Sequence, residues 1–202
     1  MDNAPTDSRR HKSVRRREEI LAAAAVVFAD QGYRCADVER IAGMAGVGKG
    51  TVYRHFTTKE ALFLATVEKA MDNLTDHVND SLETVADPLQ QLKLAIHRYF
   101  QFFDRNPGTV ELFIQERAEF RHNSKPLYFV YQASRRQVWL ERFQALARDG
   151  RLRDIAPELA LDMIGELVYG SVFSHRLAGD PSRLSSRSES VMDVIFHGIL
   201  RQ

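Results

Sequence analysis

Between Val38 and Phe63 the chain reads VERIAGMAGVGKGTVYRHFTTKEALF, and few backbone arrangements satisfy that string. Val38, Ile41, Ala42 and Ala45 fall at i, i+3, i+4 and i+7, the apolar stripe of one short helix. Asp37 stands ahead of it as an N-cap, able to accept from unpaired helix amides. Gly46 follows, where a left-handed turn costs little, and Val47 can point back into the core. A second helix starts near Gly48. Its Val52 and Phe56, four apart, face inward and turn Lys49, Thr51, Tyr53, Arg54 and His55 outward. Thr57 with Glu60 has the spacing of a capping box, so a further helix begins there. Two helices joined by a turn of this length form a helix-turn-helix, whose second helix enters the major groove of DNA.

The run GVGKGTVYRHFTTKEALF, with VERIAGMA and REEILAAAAVVFADQGY ahead of it, resembles the N-terminal domain of the TetR family of bacterial transcriptional regulators. The resemblance covers about Arg16 to Leu64, and the rest of the chain agrees with the family in length and helical pattern. It implies an all-α fold of about nine helices. A three-helix DNA-binding domain over residues 14–60 precedes a ligand-binding and dimerisation domain over 61–202. It also implies that Thr51, Tyr53, His55 and Lys59 hold phosphates. Lys49 and Arg54 are the candidate base readers, because a guanidinium can grip a guanine edge with two hydrogen bonds. Gly48 and Gly50 are costly in a helix and are explained if the backbone approaches DNA closely. The family often has two hydroxyl residues ahead of its first reading helix, where this chain has Ala36 and Asp37. A carboxylate repels phosphate, so contact there is expected to fall to the Asp37 backbone region or to Arg34 and Arg40.

Charge supports a nucleic-acid partner locally rather than globally. The net charge is only +1, yet residues 1–60 carry 11 Lys and Arg against 8 Asp and Glu. Arg9, Arg10, Lys12, Arg15, Arg16 and Arg17 fall within nine residues. Such a run can follow phosphates or enter a minor groove, and Arg16 and Arg17 are the members placed against DNA here. Asp2 to Ser8 is expected to have no fixed structure, so residues 1–13 read as a disordered basic arm.

Beyond the helix-turn-helix, a first helix is predicted from Val14 to Asp30 with Gly32 as its stop, and a long helix from Lys59 to Glu83. Pro88 opens the next, after Asp87. Breaks follow at Asn106-Pro107-Gly108, at 122–126 and at Asp149-Gly150. Pro157 starts a helix that stops near Gly179, and Ser186 with Glu189 caps the last. Few prolines and glycines, 6 and 11, and no alternating strand pattern agree with an all-α chain.

The middle helices are rich in aromatic residues. Tyr99, Phe103, Phe113, Phe120, Tyr131, Trp139 and Tyr169, with Arg117 as a polar anchor, are the candidate lining of a pocket for a small lipophilic or aromatic effector. In the last two helices, Leu161, Ile164, Val168, Ser171, Val172 and His175 form one stripe. Val191, Val194, Ile195 and Ile199 form another. The family pairs the corresponding helices across a two-fold axis, and these residues are the candidate homodimer interface. Dimerisation also suits the DNA: two reading helices about 34 Å apart, or a multiple of that, read a palindrome.

Other classes find little support. The lone cysteine, Cys35, allows no intramolecular disulfide and reads as a small buried hydrophobe, with a redox sensor as the alternative. The histidines are scattered, and no HExxH, CxxC or GxSxG spacing occurs, so no catalytic, metal or cofactor site is expected. No signal peptide or membrane-length apolar run is visible, which suggests a cytoplasmic protein without a membrane partner. The expected function is a sequence-specific transcriptional regulator, a repressor, acting as a homodimer on a double-stranded palindromic operator and released by its effector. The alternative is a ligand-independent or architectural DNA-binding protein whose second domain binds a protein partner.

Overall fold

Helix α1 spans Ala4–Cys35 and turns sharply at Gly32, whose φ of 76° and ψ of 158° glycine holds without strain. The computed structural model describes residues 4–122, 125–180 and 182–199. Gly32 interrupts the helix where the sequence predicts, but α1 begins at Ala4 rather than Val14. Residues 4–13, expected as part of a disordered arm, are therefore helical, while Met1 to Asn3 lie outside the described residues. Arg and Lys are good helix formers, and lengthening an existing helix needs propagation without a new nucleus.

Helices α2 (Val38–Met44), α3 (Lys49–His55) and α4 (Lys59–Asn79) follow. The hydroxyl capping α4 belongs to Thr58, one residue beyond the predicted Thr57: its Oγ1 accepts from the Ala61 N–H at 3.0 Å. The 21 residues of α4 stop at Asn79, short of Glu83, and span roughly 31 Å. Beyond them Ser81 adopts a left-handed φ of 57°. The chain continues through α5 (Pro88–Arg105), α6 (Gly108–Glu119), α7 (Leu127–Arg148), α8 (Pro157–Leu177) and α9 (Ser188–Ile199). Asp87 caps α5 by accepting from the Leu89 N–H. Ser186 does not cap α9 as predicted. Its hydroxyl donates to the Arg183 carbonyl at 2.6 Å, within a single 3-10 turn, and α9 starts two residues later. Nine α-helices and no β-strand form among the described residues, as an all-α chain requires.

The chain divides into two compact units. One comprises Met1–Ala70 and Glu111–Pro126, the other Met71–Val110 and Leu127–Gln202. In the first unit Phe63 is fully buried and meets Phe28 edge-on, with ring centroids 5.0 Å apart, which ties the start of α4 to α1. The end of α6 joins the same unit: Gln115 donates to the Phe28 carbonyl at 2.9 Å, and the Phe120 ring stacks on Phe63 at 5.5 Å. In the second unit α5 is central and packs against α7, α8 and α9. Its buried Leu92, Ala95, Ile96, Phe100, Phe102 and Phe103 leave it little solvent face. No helix among the described residues is long and apolar enough to cross a membrane.

Candidate functional site

The reading unit is built by its caps. Asp37 Oδ1 accepts from the Glu39 N–H at 2.8 Å and fixes the start of α2. At its end the Val47 N–H bonds to the Ala42 carbonyl at 2.9 Å and the Gly46 N–H to Gly43 at 3.1 Å. Gly46, at a φ of 62°, sits at the left-handed position this double closure needs. Gly48 is extended and starts α3, where Val52 and Phe56 are buried, 1% and 5% exposed. These two anchors leave Gly48, Lys49, Gly50, Tyr53 and Arg54 exposed, with Thr51 and His55 half-buried. A Cβ added at Gly48 or at Gly50 would meet no atom within 4 Å, so neither glycine is required by packing inside the chain.

A cleft of about 520 Å³ opens between the start of α1 and α3, lined by Lys12, Arg16, Thr51, Arg54, His55 and the Gly46-Val47 backbone. Three cations, a hydroxyl and an imidazole are what a phosphate backbone demands. Lys12, not among the individually chosen contacts, enters this group because α1 starts earlier than predicted. Arg16 is held by Glu19 at 3.0 Å. The Arg17 guanidinium lies 5.2 Å over the Phe56 ring, and Lys49 Nζ is 3.7 Å from Glu39. Lys59 is engaged within the fold: its Nζ donates to the Arg34 carbonyl at 2.9 Å and sits 5.3 Å over the Tyr33 ring. Arg34 and Arg40, expected to take over the phosphate contact, are instead paired with Glu119 and Asp30, both at 2.9 Å. Cys35 is exposed, contrary to the buried role expected of it.

His55 is pushed toward its neutral form. Burial foremost, then the charges of Arg54, Arg17 and Arg16, hold its pKa below the ordinary 6.5. Folding therefore loses free energy as the pH falls from 6.5 through the depressed value, since the unfolded chain takes up the proton first. A phosphate set against the ring would favour that proton. DNA affinity is expected to rise as the pH drops below 6.5, with the slope of log K against log salt steepening by about 0.9. His55→Gln should leave titrations of binding flat across this range, and a flat wild-type profile would remove His55 from the interface.

The residues chosen for an effector pocket divide between the units. Phe113, Arg117 and Phe120 belong to the first, where Phe120 packs on Tyr33 at 5.0 Å and Arg117 is exposed. Spacing along α6 does not reveal which unit its end joins. In the second unit Tyr99 and Tyr128 share a hydroxyl hydrogen bond at 3.0 Å, and the Tyr128 and Tyr169 rings are 4.7 Å apart. Phe103 adjoins Tyr99 at 5.0 Å and Phe173 adjoins Tyr169 at 4.2 Å. Burial pushes Tyr99 well above its ordinary pKa and Tyr128 up to about 12, so both hydroxyls stay neutral. Tyr128 and Phe173 were not picked from sequence, where nothing separates them from other aromatics. Tyr131 donates to Asp72 at 2.8 Å, and half-buried Trp139 lies under the Arg142 guanidinium at 4.5 Å.

The residues of the association stripes divide by burial. Ile164, Val168 and Val172 of α8 and Ile195 of α9 are buried in their own unit, 1–7% exposed, while Leu161, Ser171, His175 and Val191 are half-buried. The apolar face left open on α8 is a neighbouring stripe, Leu159, Met163, Leu167 and Leu177, 38–72% exposed. Val194 is 63% exposed on α9, and the Ile199 side chain lies outside the described residues. A helix packed on one side and apolar on two shows both stripes at the same period.

The sequence profile of bacterial regulatory proteins of the tetR family matches residues 20–66. The nucleoid occlusion factor SlmA of Photobacterium profundum is 30% identical over 140 residues, 65% of this chain and 70% of that protein. The chain belongs to the tetR family. It is a DNA-binding transcriptional regulator and not an enzyme, as members of this family are. The transcriptional activator FasR of Mycolicibacterium smegmatis is 40% identical over 100 residues, 50% of this chain but only 46% of that protein. The transcriptional repressor KstR2 of Mycobacterium tuberculosis is 26% identical over 191 residues, 93% of this chain and 94% of that protein. Its solved structure superposes with a TM-score of 0.72 at 24% identity, covering 93% and 96% of the two chains.

Proposed function

We propose that this tetR-family protein is a homodimeric repressor in the cytoplasm, seated on a palindromic operator and released by a small lipophilic or aromatic effector. The observation that carries the reading is α3, anchored by Val52 and Phe56, with an open glycine face beside a cation-lined cleft. Lys49 and Arg54 read base edges; Lys12, Arg16, Arg17, Thr51, Tyr53 and His55 grip phosphates; Gly48 and Gly50 let the backbone come close. Lys59 holds the α1 end in place and keeps its full charge for phosphate, since its partner is a neutral carbonyl. The effector is received near Tyr99, Tyr128 and Tyr169, whose neutral hydroxyls supply polar anchors in an apolar wall. Release is a coupling free energy between two sites: an effector that favours one arrangement of the reading helices changes DNA affinity, and DNA changes effector affinity by the same factor. Helix α6 is the candidate coupler beside α4, since it places Val110 in the second unit and Glu119 and Phe120 in the first.

Genomic fragments selected on the purified protein test the reading, followed by release assays with lipophilic and aromatic compounds. Specific fragments without release by any compound would favour the second reading, a ligand-independent DNA-binding protein with a protein partner. The likeness to a nucleoid occlusion factor keeps that reading open. The dimer is tested through α8. Leu167→Glu is expected to yield monomers in light scattering and to abolish tight operator binding, because a carboxylate within an apolar interface loses its hydration. A dimeric variant would move the interface off this stripe.

A further inference from the structure

The second unit holds a cleft that none of Tyr99, Tyr128 and Tyr169 lines. It measures about 660 Å³ and is bounded by the end of α5, the start of α6, the end of α8 and the segment before α9. That is the size of a small-molecule site. Its floor is apolar: Phe103, Val110, Val172 and Leu184 are each at most 4% exposed. Its wall is cationic, with three guanidinium groups, those of Arg105, Arg176 and Arg183.

Two carboxylates also line the cleft, and backbone N–H groups hold both. Asp104 accepts from the N–H groups of Leu184 and Ser185 at 2.6 and 2.9 Å. Asp180 accepts from the Ser182 N–H at 2.8 Å and stands 3.5 Å from His175 Nδ1. Arg105 and Arg183 enter no ion pair among the described residues. A guanidinium presents a planar fork of donors that matches carboxylate or phosphate oxygens two at a time. Cations of this kind beside a dry floor define an occupant with two ends.

We propose that this cleft binds a small anionic amphiphile, its carboxylate or phosphate head on Arg105 and Arg183 and its hydrocarbon on Phe103, Val110, Val172 and Leu184. The inference deepens the effector reading and rests on it only for the consequence at DNA. Phe103 also packs on Tyr99, so the occupant touches the residue that borders the tyrosine pair.

The test is calorimetric titration of the full-length protein with octanoate, octyl phosphate, octanol and octylammonium, each below its micelle concentration. At least one anion is expected to bind saturably, one per chain, and at least tenfold more tightly than octanol or octylammonium. Whichever anion is preferred identifies the head group. The double substitution Arg105→Gln with Arg183→Gln, at two exposed side chains, should weaken the anion at least tenfold and leave octanol unchanged. Octanol binding as tightly as the anions would overturn the proposal, as would anion binding indifferent to the double substitution. Operator binding measured alongside separates the two ideas. Anion bound without release keeps this site and ends its effector role, whereas release only by neutral compounds, with no anion bound, keeps the effector reading and ends this site.

Discussion

Replacing Phe63 with alanine is expected to cost the N-terminal unit about 3–5 kcal/mol of stability, the range for deleting a buried aromatic ring. Phe63 is 0% exposed and meets three other rings, Phe28, Tyr33 and Phe120, with centroids 5.0, 5.1 and 5.5 Å away. Those rings come from α1, from the turn after Gly32 and from the end of α6, so one deletion loosens three segments together. Part of the cost is lost transfer of apolar area and part is the cavity, since neighbours held by their own backbones relax only partly. Denaturant unfolding, followed by a probe in this unit, measures the effect. Phe129→Ala is the control: that ring is 43% exposed and should cost far less. A Phe63→Ala loss below about 1 kcal/mol would mean that the cluster closes over the gap.

Gly50→Glu is expected to move two measurements in opposite directions. Gly50 lies inside α3 with no atom within 4 Å of an added Cβ, so a helix former there should stabilise the unit by about 0.5–1 kcal/mol. On DNA the same side chain sets a carboxylate against phosphates where the backbone should come close. Like-charge juxtaposition costs several kcal/mol, so operator affinity should fall about 100-fold or more. Gly50→Ala separates sterics from charge, with the same gain in stability and a smaller loss of affinity. Operator binding unchanged by Gly50→Glu would place α3 outside the groove, whatever its resemblance to a reading helix.

The correct expectations and the misplaced ones differ in the reach of the interaction behind them. Asp37 and Asp87 cap their helices, and Gly32 and Gly46 turn the chain, through contacts a few residues long. Their chemistry is written beside them. Thr58 in place of Thr57 is the usual uncertainty between adjacent hydroxyls with the same opportunity. Arg34 and Phe120 have partners of another kind. Arg34 lies beside α2, yet the partner it finds within the fold, Glu119, is 85 residues away. Phe120 has the aromatic character of a pocket residue, and its ring packs with Tyr33 and Phe63. Aromatic rings satisfy a core and a pocket equally well, so composition cannot separate the two uses.

The chain by itself determined its helices, its turn and the outward chemistry of α3. Periodicity, caps and glycine conformations are local, and two buried anchors, Val52 and Phe56, set the face of so short a helix. Only the tertiary structure decided which stripe of α8 is core and which is open. Ile164, Val168 and Val172 repeat with the same period as Leu159, Met163 and Leu167, and burial depends on what the other helices bring alongside. It likewise decided that Lys12 reaches the α3 cleft and that Arg105 and Arg183 share a wall. Those neighbours meet by packing between distant segments, a long-range energy with no local signature.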